Sequence, residues 1–380
     1  MQTLFEQLKQ IEVQDLRQKR KIKHSLSDIV GVALFATIAN ADDCVDIQHF
    51  GEAYLPQLQT YFPLKHGMAS HDTIRRALMM IDPDIFQSLQ QHFNNMLNNG
   101  EGEKIKKIIG IDGKTQCGNK TKTQKPNHIV SAIDEHGFSI AQKPVEDKTN
   151  EIKVIPKLLN LLNIKGLIVT IDAIGTQHEI AEKIYEKCAN YVLALKANQK
   201  TLHTEVSCCF EDPIFLDKCK YFKTTQRARG ATETREYWQS TNLRGISKRD
   251  SWAGLRSIVM TKNTITKDDD NDDDDDDGGR TVVELRYFIS SLPLNVGLIA
   301  RAIRKHWMVE STHWHLDVTF REDADRTIDK VVACNINILR KLALNVLRLI
   351  DVGKKNCGIR KKRNLVGWSL PKYLEQILSI

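Results

Sequence analysis

A chain of 380 residues with 41% hydrophobic content can bury cores in two or three domains, which excludes global disorder. Its formal charge of +7 includes nine aspartates between residues 268 and 277, so the remainder carries +16, an excess that favours a polyanionic partner. Eight dispersed cysteines without a C-x-x-C pair disfavour a zinc module or disulfide framework, the longest apolar run (residues 29–41) is too short to span a bilayer, and no export signal is apparent, so a cytoplasmic protein without membrane contact is expected.

Residues 1–100 read as an all-α region, with apolar residues at helical spacing in 29–41, 73–81 and 85–97. Ser70 or His71–Asp72 is placed to cap a helix carrying Arg75 and Arg76 near its start, where recognition helices hold such residues; a solvated arginine pair on an ordinary helix is an equal alternative. From residue 104 the pattern changes. An apolar run ends in Asp112, residues 128–140 alternate as a strand pair turning at 134–137, and a helix over 151–162 precedes a strand over 166–172 ending in Asp172. A helix over 177–188 and a strand over 191–197 follow. This alternation predicts a mixed α/β sheet flanked by helices.

Residues 200–285 lose the alternation and read as a β-rich insertion. Within it, 268–277 is expected to be a solvated loop at a hairpin tip, because like charges this dense repel and cannot pack. A Ca²⁺ site is disfavoured there, since the EF-hand spacing is missing. A strand pattern returns at 286–292, then two long helices over 295–320 and 330–349, a basic stretch (Lys354, Lys355, Arg360, Lys361, Lys362, Arg363) and a short helix over 371–378.

Asp112 follows Ile108-Ile-Gly-Ile and Asp172 follows Leu167-Ile-Val-Thr-Ile, so each charge ends a buried strand, where it is costly without a counterion. Two such carboxylates suggest a shared metal, although Asp112-Gly113 is also a turn sequence and Asp172 a helix cap. Helical spacing puts Trp307, Glu310, Trp314 and Asp317 on one side of the next long helix, as a third carboxylate site or as a core stripe with satisfied polar groups.

Four segments carry a resemblance: Ile109-Gly-Ile-Asp-Gly-Lys-Thr, Thr170-Ile-Asp-Ala-Ile-Gly-Thr-Gln, Tyr191-Val-Leu-Ala-Leu-Lys-Ala-Asn-Gln and Arg304-Lys-His-Trp-Met-Val-Glu-Ser-Thr-His-Trp-His-Leu-Asp-Val-Thr-Phe-Arg-Glu-Asp. A fifth begins at Asn337-Ile-Leu-Arg-Lys-Leu. The chain resembles the ISAs1 family of transposases, of the H-repeat-associated type, within the IS4-like DDE transposases. The resemblance implies an RNase H-like core with Asp112, Asp172 and Glu310 as the catalytic, Mg²⁺-binding triad, Mn²⁺ being a substitute. It also implies double-stranded DNA as partner, at transposon inverted repeats and at the target, a nucleoid association and a homo-oligomer, a dimer, in the synaptic complex. A domesticated or inactive DNA-binding derivative is the alternative.

The expected layout is a DNA-binding region over 1–100, a catalytic core over 101–200 and 286–350, the insertion over 201–285, and a basic tail with a short helix over 351–380. IS4-like enzymes commonly place an arginine four residues before the glutamate and a lysine seven after it; here His306 and Asp317 stand there. Ser311 and Thr312 likewise replace an expected Asn-Leu. Candidate DNA contacts are Lys114, Lys196, Asn198, Gln199, Arg304, Lys305, His306 and Arg321, with Trp307 and Trp314 available to stack on an unpaired base.

Overall fold

The structure, a computed structural model, describes residues 4–9, 11, 12, 15, 17, 18, 20, 22–90, 107–145, 151–228, 230–267 and 281–380. They fall into two compact units. The first combines Met1–Glu103, Gly113–Val154 and Met308–Ile380, and the second Lys104–Asp112 and Ile155–Trp307. Among the described residues the strands are, in chain order, β1 (Ile108–Thr115), β2 (His128–Asp134), β3 (Ser139–Val145), β4 (Ile168–Ile171), β5 (Asn190–Leu195), β6 (Lys220–Ala228), β7 (Ala231–Ser240), β8 (Ser257–Lys267) and β9 (Thr281–Ser290).

In the second unit the strand order is β1-β4-β5-β9-β8-β7-β6. The first three strands are parallel and the rest antiparallel. The parallel strands are short and continuously apolar, as strands covered on both faces must be. Ile108, Ile168, Val192, Val259 and Phe288 share one buried cluster with Leu292, Ile299 and Ala302. Each of the Ile, Val, Leu and Phe side chains stabilises the unit by about 1.5–3 kcal/mol relative to exposure.

The insertion is not strand throughout, since helix Lys200–Glu211 opens it. Its buried Leu202, Val206 and Phe210 recur every four residues, a helical signal inside a polar stretch. Every residue of β6 and the first six of β9 are exposed. The aspartate run, residues 268–277, lies outside the described residues, between β8 and β9, which remain paired out to Thr266 and Thr281.

In the first unit, helix Leu26–Ile38 is buried on nearly all sides, as its apolar run requires, and Ser25 caps it by accepting from Asp28 N at 3.0 Å. It packs on helix Lys330–Leu349, so N-terminal and C-terminal residues share a core. That long helix buries polar side chains, and each has a partner. Asn335 Nδ2 donates to Leu78 O and Ile81 O, Lys341 Nζ to Ser131 Oγ and Gln142 Oε1, and Asn345 Nδ2 to Ser139 O. Arg75 and Arg76 are exposed on helix His71–Met80. Of the helix expected over 85–97, residues 91–97 lie outside the described residues.

The basic stretch near the C-terminus is largely a helix, Ile359–Trp368, and two of its cations are internal ties. Arg363 is fully buried and donates to Thr37 O, Ala41 O and Thr319 O while pairing with Asp42, and Lys362 Nζ bonds the terminal carbonyls of helix Lys330–Leu349. Helix Val296–Trp314 ends in one π-helical turn, His315–Thr319. No helix among the described residues is long and apolar enough to cross a membrane.

Candidate active site

The pairing of β1 with β4 matches Ile108 to Ile168 and runs in step to Ile111 and Ile171. The residues next in step are Asp112 and Asp172, both half-buried. Two carboxylates thus stand side by side where the parallel pairing of β1 with β4 stops, with main chains about 5 Å apart; Asp172 follows the end of β4, whereas Asp112 lies within β1, which runs on to Thr115 and does not end at the carboxylate as its sequence suggested. The C-terminal end of a parallel pairing is where ligand sites concentrate in open α/β sheets.

Asp172 also caps the turn Ala173–Gly175, its Oδ1 accepting from Ile174 N at 3.2 Å. The turn needs Gly175, because a Cβ there would come within 2.3 Å of Ile171 Cγ2. Asn198 and Gln199 spend their amides on this turn: Asn198 Nδ2 donates to Ala173 O, and Gln199 Nε2 to Thr176 O at 2.9 Å. Lys196 is exposed.

On helix Val296–Trp314, His306 Nδ1 lies 2.9 Å from Thr170 Oγ1, whose hydroxyl is 3.3 Å from Ile109 O. Burial, helped by the Arg286 charge and opposed by a bond to the Thr170 main chain, lowers the His306 imidazole to about 4, so it is neutral at pH 7. Arg304 and Trp307 are exposed and Lys305 half-buried. Arg304 and Trp307 line a cavity of about 320 Å³ on the sheet face with Arg235, Lys262 and Arg286, and the Arg286 guanidinium lies 5.8 Å from the centre of the Trp307 ring. Glu310, one turn after His306, is exposed, as is Trp314.

Lys114 is held by carboxylates. Its Nζ lies 2.6 Å from Asp317, 3.1 Å from Glu322 and 3.4 Å from Asp323. Glu322 is completely buried and also accepts from Gln116 Nε2 and Asn337 Nδ2. Burial alone would raise Glu322, but Lys114, Arg340, Lys341 and the Asn337 bond outweigh it and hold the carboxyl at about 2. Asp317 is raised, because burial outweighs its contact with Lys114. Arg321 is exposed, with Nη1 3.6 Å from Asp42.

Sequence patterns gave no role to Thr170 or Lys341. Thr170 carried a signal, as the one polar residue in a buried apolar strand. Thr312, at a position that departs from the family pattern, is buried; its Oγ1 donates to Gly137 O at 3.3 Å and accepts from Arg348 Nη2 at 3.1 Å. Among the described residues no three His, Cys, Asp or Glu side chains converge into a group that would hold a metal ion.

Two family models match the chain: a DDE_Tnp_1-associated region over residues 6–94 and a Transposase DDE domain over residues 99–346. The chain is 36% identical over 373 residues to YncI of Escherichia coli O157:H7, named as a transposase, spanning 97% of this chain and 92% of that protein. It is 32% identical over 363 residues to YhhI of Escherichia coli K12, named as an H repeat-associated transposase, spanning 92% and 91%. A solved piggyBac transposase synaptic complex with hairpin DNA covers 98% of this chain and 78% of that one, at 10% identity and a TM-score of 0.39, a likeness too low to add to these findings.

Proposed function

Since the chain belongs to the DDE transposases of the IS4-like type, we propose that it is a cut-and-paste transposase of the ISAs1 kind. In this reading an RNase H-like core cleaves DNA at the ends of an insertion sequence and joins them to a target. The observation that carries the reading is the register setting Asp112 beside Asp172 where the parallel pairing of β1 with β4 ends. Paired oxygen donors suit Mg²⁺ and not a softer metal. Asp112, Asp172 and Glu310 would hold the ion, with Mn²⁺ able to replace it, and when bound it supplies electrophilic assistance to phosphodiester displacement.

The protein's own part is placement. Asn198, Gln199 and Gly175 fix the turn after Asp172, and the cavity offers Lys262, Arg304 and the Trp307 ring to a DNA strand, its Arg235 and Arg286 being paired with Glu233 and Glu284. Water attacks the scissile phosphate, breaking one phosphodiester and leaving a 5′-phosphate and a free 3′ hydroxyl; that hydroxyl then attacks a target phosphate, and in this second step one phosphodiester is broken for the one formed. The partner is double-stranded DNA, bound by a dimer that brings two ends together.

The test is incubation of the purified chain and Mg²⁺ with a labelled duplex carrying the inverted repeat that flanks its gene. A nick leaving a 3′-OH at the repeat boundary, followed by joined products, is expected. Cleavage that ignores the repeat would instead indicate a general nuclease.

A further inference from the structure

We propose that His306 is a positioning residue that ties the Glu310 helix to β4 through an Nδ1–H···Oγ1 bond to Thr170, and not a phosphate contact. This rests on the proposed role of Glu310 and deepens it. Thr170 occupies a junction: its hydroxyl sits 3.3 Å from Ile109 O on β1 and 2.9 Å from His306 Nδ1. A hydroxyl has a single proton. If Thr170 gives it to the β1 carbonyl, the contact with His306 must be donated by Nδ1, which fixes the tautomer and leaves Nε2 bare.

The three residues tied together stand at set distances from the carboxylates. Ile109 is three residues before Asp112, Thr170 two before Asp172 and His306 four before Glu310. Four residues is one helical turn, so the bond sets the rotation of the helix at the turn preceding Glu310. A cation would be a poor strut here, because the site is buried and Arg286 adds positive charge beside it. An ordinary core histidine would show the same burial, but would not join both aspartate strands through one hydroxyl.

The test uses His306→Asn, His306→Gln, His306→Ala, His306→Arg, Thr170→Val and Thr170→Ser in the full chain, with end binding and single-turnover nicking measured separately. Asparagine puts a donor where Nδ1 was, glutamine only where Nε2 was. Nicking should fall about 100-fold in the Gln, Ala, Arg and Val variants, as expected for an angstrom-scale misplacement, and stay within about five-fold of wild type in H306N and T170S. End affinity should be unchanged throughout, since the loss is in placement.

Nitrogen NMR, with the His306 signal identified from H306N, should show a neutral Nδ1–H ring. Activity retained by H306R but lost by H306N, weaker end binding in H306A, or an Nε2–H ring would each overturn the proposal. A wild-type chain that nicks nothing would refute the transposase reading, and the NMR result would still decide the bond.

Discussion

The structure makes Glu322 an internal anion, and replacing it should expose how much unit stability it carries. Its carboxylate lies 3.1 Å from Lys114 Nζ, accepts from Gln116 and Asn337, and has no exposed surface. A carboxyl held at about 2, against an ordinary value of 4.5, stabilises the fold by about 3 kcal/mol at neutral pH. A depressed carboxylate contributes fully above the unfolded value and loses its contribution as pH falls from 4.5 through 2. Glu322→Gln keeps the shape but removes the buried counter-charge of Lys341 and leaves Lys114 with only Asp317 and Asp323, so a loss of about 3 kcal/mol, the low end for breaking a buried pair, is expected. Urea titrations followed by tryptophan fluorescence should separate wild type from E322Q by about 3 kcal/mol at pH 7 and by progressively less as pH falls below 4.5. A gap that stays constant to pH 3, or no gap at pH 7, would refute the reasoning. The same burial argues against Glu322 as a metal ligand.

Three further outcomes follow. Gly113→Ala places a Cβ 2.2 Å from Glu151 Oε1 and 2.6 Å from His128 Nε2, both on buried side chains, and should destabilise by about 1–3 kcal/mol in denaturant titration while slowing cleavage. Thr312→Val removes the bonds to Gly137 O and Arg348 and leaves Arg348 short of a partner, so unfolding free energy should drop by about 1–3 kcal/mol with end binding intact. End affinity should fall steeply as salt rises, since a body charge of +16 displaces counterions from several phosphates; a flat plot of log affinity against log salt would count against DNA as partner.

The two aspartate strands were legible because a buried parallel strand is a short apolar run, and Ile108–Ile111 and Ile168–Ile171 are such runs. Their parallel pairing in matched register was not legible, because pairing across 60 residues leaves no local trace. The hairpin turn at Asp134–Gly137 was visible in its sequence, with Gly137 at φ +92 and Asp134 Oδ1 accepting from His136 N and Phe138 N. Helix Ile359–Trp368 was hidden because pattern reading assigns cations to the surface, whereas Arg363 is spent on three internal carbonyls. Lys114 illustrates the same limit: its three carboxylate partners are some 200 residues away, so a lysine following a strand end read as open to phosphate.

The most direct measurement is nicking of a labelled end duplex, with Mg²⁺ or Mn²⁺, by wild type and by Asp112→Asn, Asp172→Asn and Glu310→Gln, with end binding measured in parallel. Each substitution keeps shape and hydrogen bonding and removes one negative charge, so each should abolish nicking while leaving binding intact. If Glu310→Gln cut at the wild-type rate, Glu310 would not be the third carboxylate; if Asp112→Asn or Asp172→Asn did so, the paired aspartates of β1 and β4 would not be the reaction centre.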